Sequence, residues 1–180
     1  MYIPRHMERI VTELTQQYPA IMIVGPRQVG KTTMLEHLMS EEGRGRKKVT
    51  LDDLAERELA KTDPKMFFQL HKPPLLIDEV QYAPELFPYI KMMVDERKQP
   101  GDFWLTGSQL FKMMEGVQES LAGRVALLHL SPLSQSEILG CSENVPFQID
   151  LDVLSLRQEQ VSPCDTPAMF QRIYRGGMPA

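Results

Sequence analysis

Short apolar runs alternate with stretches whose apolar residues recur every three or four positions, the order expected of a parallel α/β sheet. The runs predict strands at Ala20–Val24, Lys47–Leu51, Pro74–Asp78, Phe103–Thr106 and Val125–Leu130. Rich in leucine and β-branched residues, with little polar alternation, they fit strands covered on both faces. Helical spacing predicts Pro4–Tyr18, Lys31–Met39, Leu54–Lys61, Pro84–Lys98 and Leu110–Glu115. In the fourth of these Leu86, Ile90, Met93 and Val94 share a face, and the Met92–Met93 pair reads as core filling rather than a ligand box.

Beyond Leu130 the pattern changes. Ser131–Pro132–Leu133–Ser134 reads as a turn, with Ser134 capping a helix through Gly140 and Glu137 at N3 closing a capping box. Residues 141–167 are rich in Ser, Pro, Asp and Asn and read as surface loop. A last helix, Pro167–Tyr174, stops at Gly176–Gly177. The expected division is a strand–helix core with an N-terminal helix over 1–130 and a partial helical region over 131–180.

Composition narrows the classes. The 180 residues are 42% hydrophobic and 24% charged, close to an average soluble domain, which excludes a disordered, collagen-like or coiled-coil chain. Twenty Lys and Arg against 24 Asp and Glu give a net charge of −4, so no broad basic footprint for nucleic acid exists. The local stretch Arg44, Arg46, Lys47, Lys48 follows Glu41 and Glu42 and reads as a solvated loop. No apolar run approaches the roughly 18 residues of a membrane span. Arg5, Glu8, Arg9 and Glu13 interrupt the N-terminus, which has no signal-peptide core. Cys141 and Cys164 lack CxxC partners, and His6, His37, His71 and His129 are isolated, so neither a disulfide scaffold nor a zinc site is expected. A cytoplasmic location is the default expectation.

The chemistry concentrates in two places. Gly25–Pro26–Arg27–Gln28–Val29–Gly30–Lys31–Thr32 matches G-x-x-x-x-G-K-[ST], between an apolar strand and a helical pattern. Such a loop wraps a phosphate when its successive N–H groups point inward. Lys31 then supplies a point charge to the β- and γ-phosphate oxygens, the Thr32 hydroxyl ligates Mg²⁺, and the helix starting there adds its positive dipole end. Downstream, Leu75–Leu76–Ile77–Asp78–Glu79 is an apolar strand ending in two carboxylates. Asp78 is placed to hold Mg²⁺ opposite Thr32, and Glu79 to orient or deprotonate an attacking water. The absence of an N-K-x-D motif favours adenine over guanine, and the adjacent Glu79 favours hydrolysis over a small-molecule kinase.

Two further candidates keep two readings each. Ser108, at the tip of Phe103–Trp104–Leu105–Thr106–Gly107, either bonds the γ-phosphate or attacking water or simply caps the next helix. Arg124, in Ser120–Leu121–Ala122–Gly123–Arg124, either reaches a neighbouring subunit's γ-phosphate or is a salt-bridged surface residue.

Together these residues resemble the AAA+ and STAND branch of P-loop ATPases, and within it a large group of prokaryotic predicted ATPases of the AAA superfamily. The likeness rests on Gly25–Thr33, Asp78–Gln81, Leu105–Ser108, Leu121–Arg124, Leu130–Ser134 with Glu137, and Gly176–Pro179. It implies a three-layer α/β P-loop NTPase fold with a five-stranded, mainly parallel sheet, followed by the start of a small helical lid. It also implies ATP and Mg²⁺ at Gly25, Pro26, Arg27, Gln28, Val29, Gly30, Lys31, Thr32 and Thr33, with Thr32 and Asp78 on the metal. Arg124 takes the arginine-finger position, and Pro179 is similar to the STAND proline that touches adenine. Members of the group usually continue into a C-terminal domain, so the chain resembles an N-terminal portion whose companion domain engages a further partner. The expected function is ATP hydrolysis that drives or times a conformational change, with a homo-oligomer implied by Arg124. The alternatives are a nucleotide switch with little turnover, or a DNA-associated ATPase whose DNA-binding part lies elsewhere.

Overall fold

A computed structural model describes residues 2–108, 120–140, 149–159 and 165–179. Five parallel strands form its centre: β1 (Ala20–Val24), β2 (Lys47–Thr50), β3 (Leu75–Asp78), β4 (Phe103–Gly107) and β5 (Val125–His129). They lie in the order β2-β3-β4-β1-β5, and every pairing is parallel. The sheet is thus wholly parallel, where the resemblance implied one mainly so. Each strand bound lies within a residue of the apolar run that predicts it.

Successive side chains of a strand point to opposite faces, and the core divides accordingly. Ala20, Met22, Val24, Ile77 and Leu105 pack on one face with Phe67, Phe87, Ile90 and Val94. Ile21, Ile23, Leu76 and Trp104 pack on the other with Val11, Met34, Leu35 and Leu38. The first layer is α3 (Leu54–Thr62), α4 (Pro64–Leu70) and α5 (Leu86–Arg97); the second is α1 (Met7–Thr15) and α2 (Lys31–Glu42). Edge strand β2 exposes Lys47 and Lys48, charges that discourage pairing with another strand.

Several helix predictions need correction. The helix expected over Leu54–Lys61 forms as α3, Leu54–Thr62, but the chain then turns at Asp63 into a helix that was not expected, α4. Asp63 accepts the Met66 N–H at 2.9 Å, and Pro64 occupies the first turn of α4 where no N–H is needed. The first helix starts at Met7 rather than Pro4 and ends at Thr15, because residues 2–6 run toward the phosphate loop instead of joining it. The expected loop 141–167 contains a helix, α7 (Leu151–Glu159), after the short α6 (Gln135–Ile138). Asp150 caps α7 by accepting the Asp152 and Val153 N–H groups. Its apolar residues gather on no single face, so periodicity does not reveal it. The final helix, α8, spans Thr166–Arg175, with Asp165 as its cap. The predicted helix Leu110–Glu115 lies outside the described residues.

Candidate functional site

The carboxyl ends of parallel strands are where the loops of such a sheet converge on a ligand. Val24 is level with Gly107 on one side and His129 on the other, so the loop after β1 opens between the ends of β4 and β5. Gly25 leaves β1 with φ at 149°. A Cβ there would lie 2.2 Å from the Leu130 carbonyl oxygen, so only glycine lets the loop pass this backbone. Gln28 and Gly30 also have positive φ, at 64° and 88°, and Gly30 starts α2. These turns curl residues 25–30 into a loop closed by the helix N-terminus.

Lys31 is 5% exposed, and its Nζ donates to the carbonyls of Gly25 at 3.0 Å and Pro26 at 2.7 Å. Burial pushes its pKa below that of an ordinary lysine; Glu79 and Asp78 pull it back up, while Arg27 adds to the lowering. A cation desolvated in this way gains strongly from a phosphate brought beside it. Thr32 Oγ1 donates to Asp78 Oδ1 at 2.6 Å, joining the two residues expected to bind a metal. Among the described residues no group of three or more His, Cys, Asp or Glu is placed to hold a metal ion. What exists is the Asp78 carboxylate with threonine hydroxyls around it, Thr32 at the loop among them, an oxygen-only set of the kind that binds Mg²⁺ together with phosphate oxygens.

Sequence reasoning missed Thr106. Fully buried on β4, it donates to Asp78 Oδ1 at 2.5 Å and accepts the Glu79 N–H at 3.1 Å. It thereby fixes both ends of the acidic pair. Its position within Leu105–Ser108 was the available signal, but the polar tip, Ser108, drew the assignment. Ser108 Oγ donates to Glu79 Oε2 at 3.2 Å, so the fold brings it to the second carboxylate. Whether it caps a following helix falls outside the described residues. Arg27 donates to the Tyr82 hydroxyl at 3.1 Å, linking the loop to the turn after β3.

A cavity of about 760 Å³ opens beside the loop, lined by Tyr2, Ile3, Gln28, Thr33, Leu133 and Pro179. Pro179 thus joins the phosphate loop: its Cγ lies 3.5 Å from where a Gly30 Cβ would be. Underneath runs a second feature invisible in sequence. Buried Arg5 donates to the Val29 carbonyl at 2.8 Å, the Ser131 carbonyl at 2.7 Å and Glu137 Oε1 at 3.1 Å. Burial pushes the Glu137 pKa up, but the Ser134 and His6 N–H groups and Arg5 outweigh it and hold the carboxyl below its usual range. Arg124 is the one candidate the fold leaves apart. It precedes β5, its carbonyl accepts the Ala20 N–H at the start of β1, and its guanidinium grips Asp95 at 2.6 and 3.0 Å. It therefore lies at the end of the sheet opposite the phosphate loop.

A parallel sheet with this strand order, a glycine-bounded lysine loop after β1 and a carboxylate pair at the end of β3 defines a P-loop ATPase. The chain belongs to the AAA domain family, whose model matches residues 17–139. Uncharacterized proteins of Mycobacterium tuberculosis and Mycobacterium bovis are each 36% identical to it over 123 residues, 67% of this chain and 26% of theirs. The chain therefore spans about a quarter of the length of these curated relatives. A Walker-type ATPase of Pyrococcus abyssi shares the fold with a TM-score of 0.54 at 19% identity, over 76% of this chain and 55% of that one. AMPPCP-bound DnaA from Aquifex aeolicus also gives 0.54, at 17% identity, over 94% of this chain and 57% of that one. No helix among the described residues is long and apolar enough to cross a membrane.

Proposed function

We propose that the chain hydrolyses ATP with Mg²⁺ and uses the turnover to drive or time a conformational change. The observation that carries this reading is the meeting of Thr32 with Asp78 at 2.6 Å, with Glu79 next in the chain. The thiol-free, oxygen-only pair suits Mg²⁺, which when bound neutralises charge on the phosphate oxygens. Lys31 binds the same oxygens as a point charge, and the N–H groups of residues 27–30 fix their position, Pro26 having none to offer. Glu79 takes the proton of the attacking water. The water oxygen bonds to the γ-phosphorus as the bond to the bridging oxygen breaks, and that electron pair leaves with ADP. Adenine fits the cavity between Tyr2, Ile3, Leu133 and Pro179, where apolar side chains and an aromatic ring suit a flat base.

Glu79→Gln tests the reading, because an amide accepts a hydrogen bond but cannot carry a proton. Turnover should fall about 10²- to 10⁴-fold while calorimetry finds ATP affinity unchanged. Wild-type turnover in this variant would remove Glu79 from the chemistry. ATP bound by the unaltered protein but not hydrolysed would favour the switch, and turnover that rises only with added DNA would favour the DNA-associated reading. Arg124 acts, on this proposal, at a neighbouring copy's phosphate. Turnover per chain should then rise with protein concentration, and Arg124→Ala should flatten the rise; turnover independent of concentration and of the substitution assigns Arg124 to the Asp95 ion pair alone.

A further inference from the structure

We propose that Gln81 is the positioning residue of the hydrolytic centre, holding one oxygen of the Glu79 carboxylate so that proton transfer falls to the other. This rests on the reading of Glu79 as the base. The geometry begins in the backbone. Glu79 adopts the left-handed conformation, φ 58° and ψ 44°, which a residue with a side chain rarely takes. The chain therefore turns sharply after β3 into a single 3₁₀ turn, Val80–Tyr82, and brings Gln81 back onto its neighbour. Gln81 Nε2 donates to Glu79 Oε2 and, at 3.2 Å, to Ser108 Oγ. Ser108 Oγ in turn donates to Glu79 Oε2 at 3.2 Å, which closes a triangle.

Gln81 is held in place from both sides. Val80 is fully buried in the core. The Tyr82 ring lies under the Arg57 guanidinium at 3.9 Å, and its hydroxyl accepts from Arg27. Gln81 Oε1 is shut away from solvent and has no hydrogen-bond partner among the described residues. Burying such an oxygen unpaired is unfavourable, and a residue chosen for packing alone would avoid it. The amide nitrogen offers what an apolar residue lacks: a second donor on the reacting carboxylate. A glutamate has three rotatable bonds, and a general base works only while its free oxygen stays within hydrogen-bond reach of the water. Two donors converging on Oε2 remove that freedom.

ATP turnover under saturating nucleotide, with affinity measured by calorimetry, tests the assignment in Gln81→Ala and in the same-shaped Gln81→Glu. Both should lower kcat about 10- to 100-fold, the worth of one hydrogen bond to a charged group, with ATP affinity changed less than about twofold. Gln81→Ala added to Glu79→Gln should lower the residual rate no further, because Gln81 acts only through the carboxylate. Wild-type kcat in either Gln81 variant overturns the proposal. So does an equal loss in the presence and absence of Glu79, or a parallel loss of affinity, each of which marks a merely structural role. The parent reading fails separately: if Glu79→Gln turns over like wild type, Glu79 is not the base and Gln81 has nothing to position. If Glu79→Gln is inactive and Gln81→Ala is not, the Gln81 assignment alone falls.

Discussion

The sheet and the C-terminal helices are held in opposite ways. Ile21, Ile23, Leu76 and Ile77 are completely buried, and helices cover both faces of the strands that carry them. In α8, Phe170, Ile173 and Tyr174 are 66%, 69% and 92% exposed, and no residue of that helix is buried. The second region is tied to itself where the Leu133 N–H donates to the Gly177 carbonyl at 2.6 Å, and to the first at a few points: Pro179 approaches Gly30, and Arg5 ties Glu137 to the phosphate loop. The strands owe their placement to area removed from water, which is insensitive to any single contact. The C-terminal region depends on a few specific bonds, and those bonds surround the cavity beside the loop.

Cutting the clasp at Arg5 is the largest perturbation of that contrast. Arg5→Ala leaves Glu137 buried without its cation and the Val29 and Ser131 carbonyls without a donor. Loss of one partner from a buried ion pair costs about 3–5 kcal/mol, which thermal or urea unfolding would register. Replacing Arg5 and Glu137 together with apolar residues of similar volume should cost less than Arg5→Ala alone, since no charge is then stranded. ATP affinity should drop in both, because each variant frees the loop at Val29. If Arg5→Ala unfolds like the unaltered protein, the clasp does not join the two regions.

The two regions also differed in how far sequence disclosed them. Lys31, Thr32, Asp78 and Glu79 stand out because a phosphate loop and a strand-end carboxylate are written in consecutive residues, and the parallel sheet brings those segments together without further instruction. The central strands β1, β3 and β4 emerge for the same reason, since a short apolar run buried on both faces has few other solutions. The edge strands do not meet that expectation: β2 exposes Lys47 and Lys48, and β5 exposes Leu127 and His129. Arg5 gave no such signal, since its partner lies 132 residues away and an arginine near a helix start looks ordinary. Thr106 and Gln81 lie within Leu105–Ser108 and Asp78–Gln81, yet their placement depends on the hydroxyl direction at the end of β4 and on the left-handed turn at Glu79. Neither follows from residue type. The helix α7 was hidden because its stability begins with one cap at Asp150 rather than with an apolar stripe.

A smaller perturbation loosens the attachment without removing a charge. A Cβ on Gly177 would meet the Leu133 carbonyl oxygen at 2.7 Å and Pro132 Cβ at 3.2 Å. The first is backbone, so the two segments must part. Gly177→Ala should cost about 1–3 kcal/mol, as overpacking does, and amide exchange should quicken in residues 131–140 and 165–179 while the strands keep their protection. Equal deprotection of β1 and β3 would show that the regions unfold as one unit.

The smallest expected effect lies on the outer side of α8. Tyr174→Ser and Phe170→Ser remove large side chains that are mostly in contact with solvent. Exposed side chains contribute little to the folded state because folding takes almost none of their surface out of water. Each substitution should therefore change unfolding free energy by no more than about 0.5 kcal/mol in this chain, and urea midpoints should coincide with the unaltered protein. A core substitution of similar size sharpens the contrast, since Ile23→Ala is expected to cost about 2–5 kcal/mol by opening a cavity between β1 and α2. A loss above about 1.5 kcal/mol from Tyr174→Ser would mean that the ring is covered in solution. In that case α8 is held by burial after all, and the division between a packed sheet and a polar-tethered C-terminal region fails.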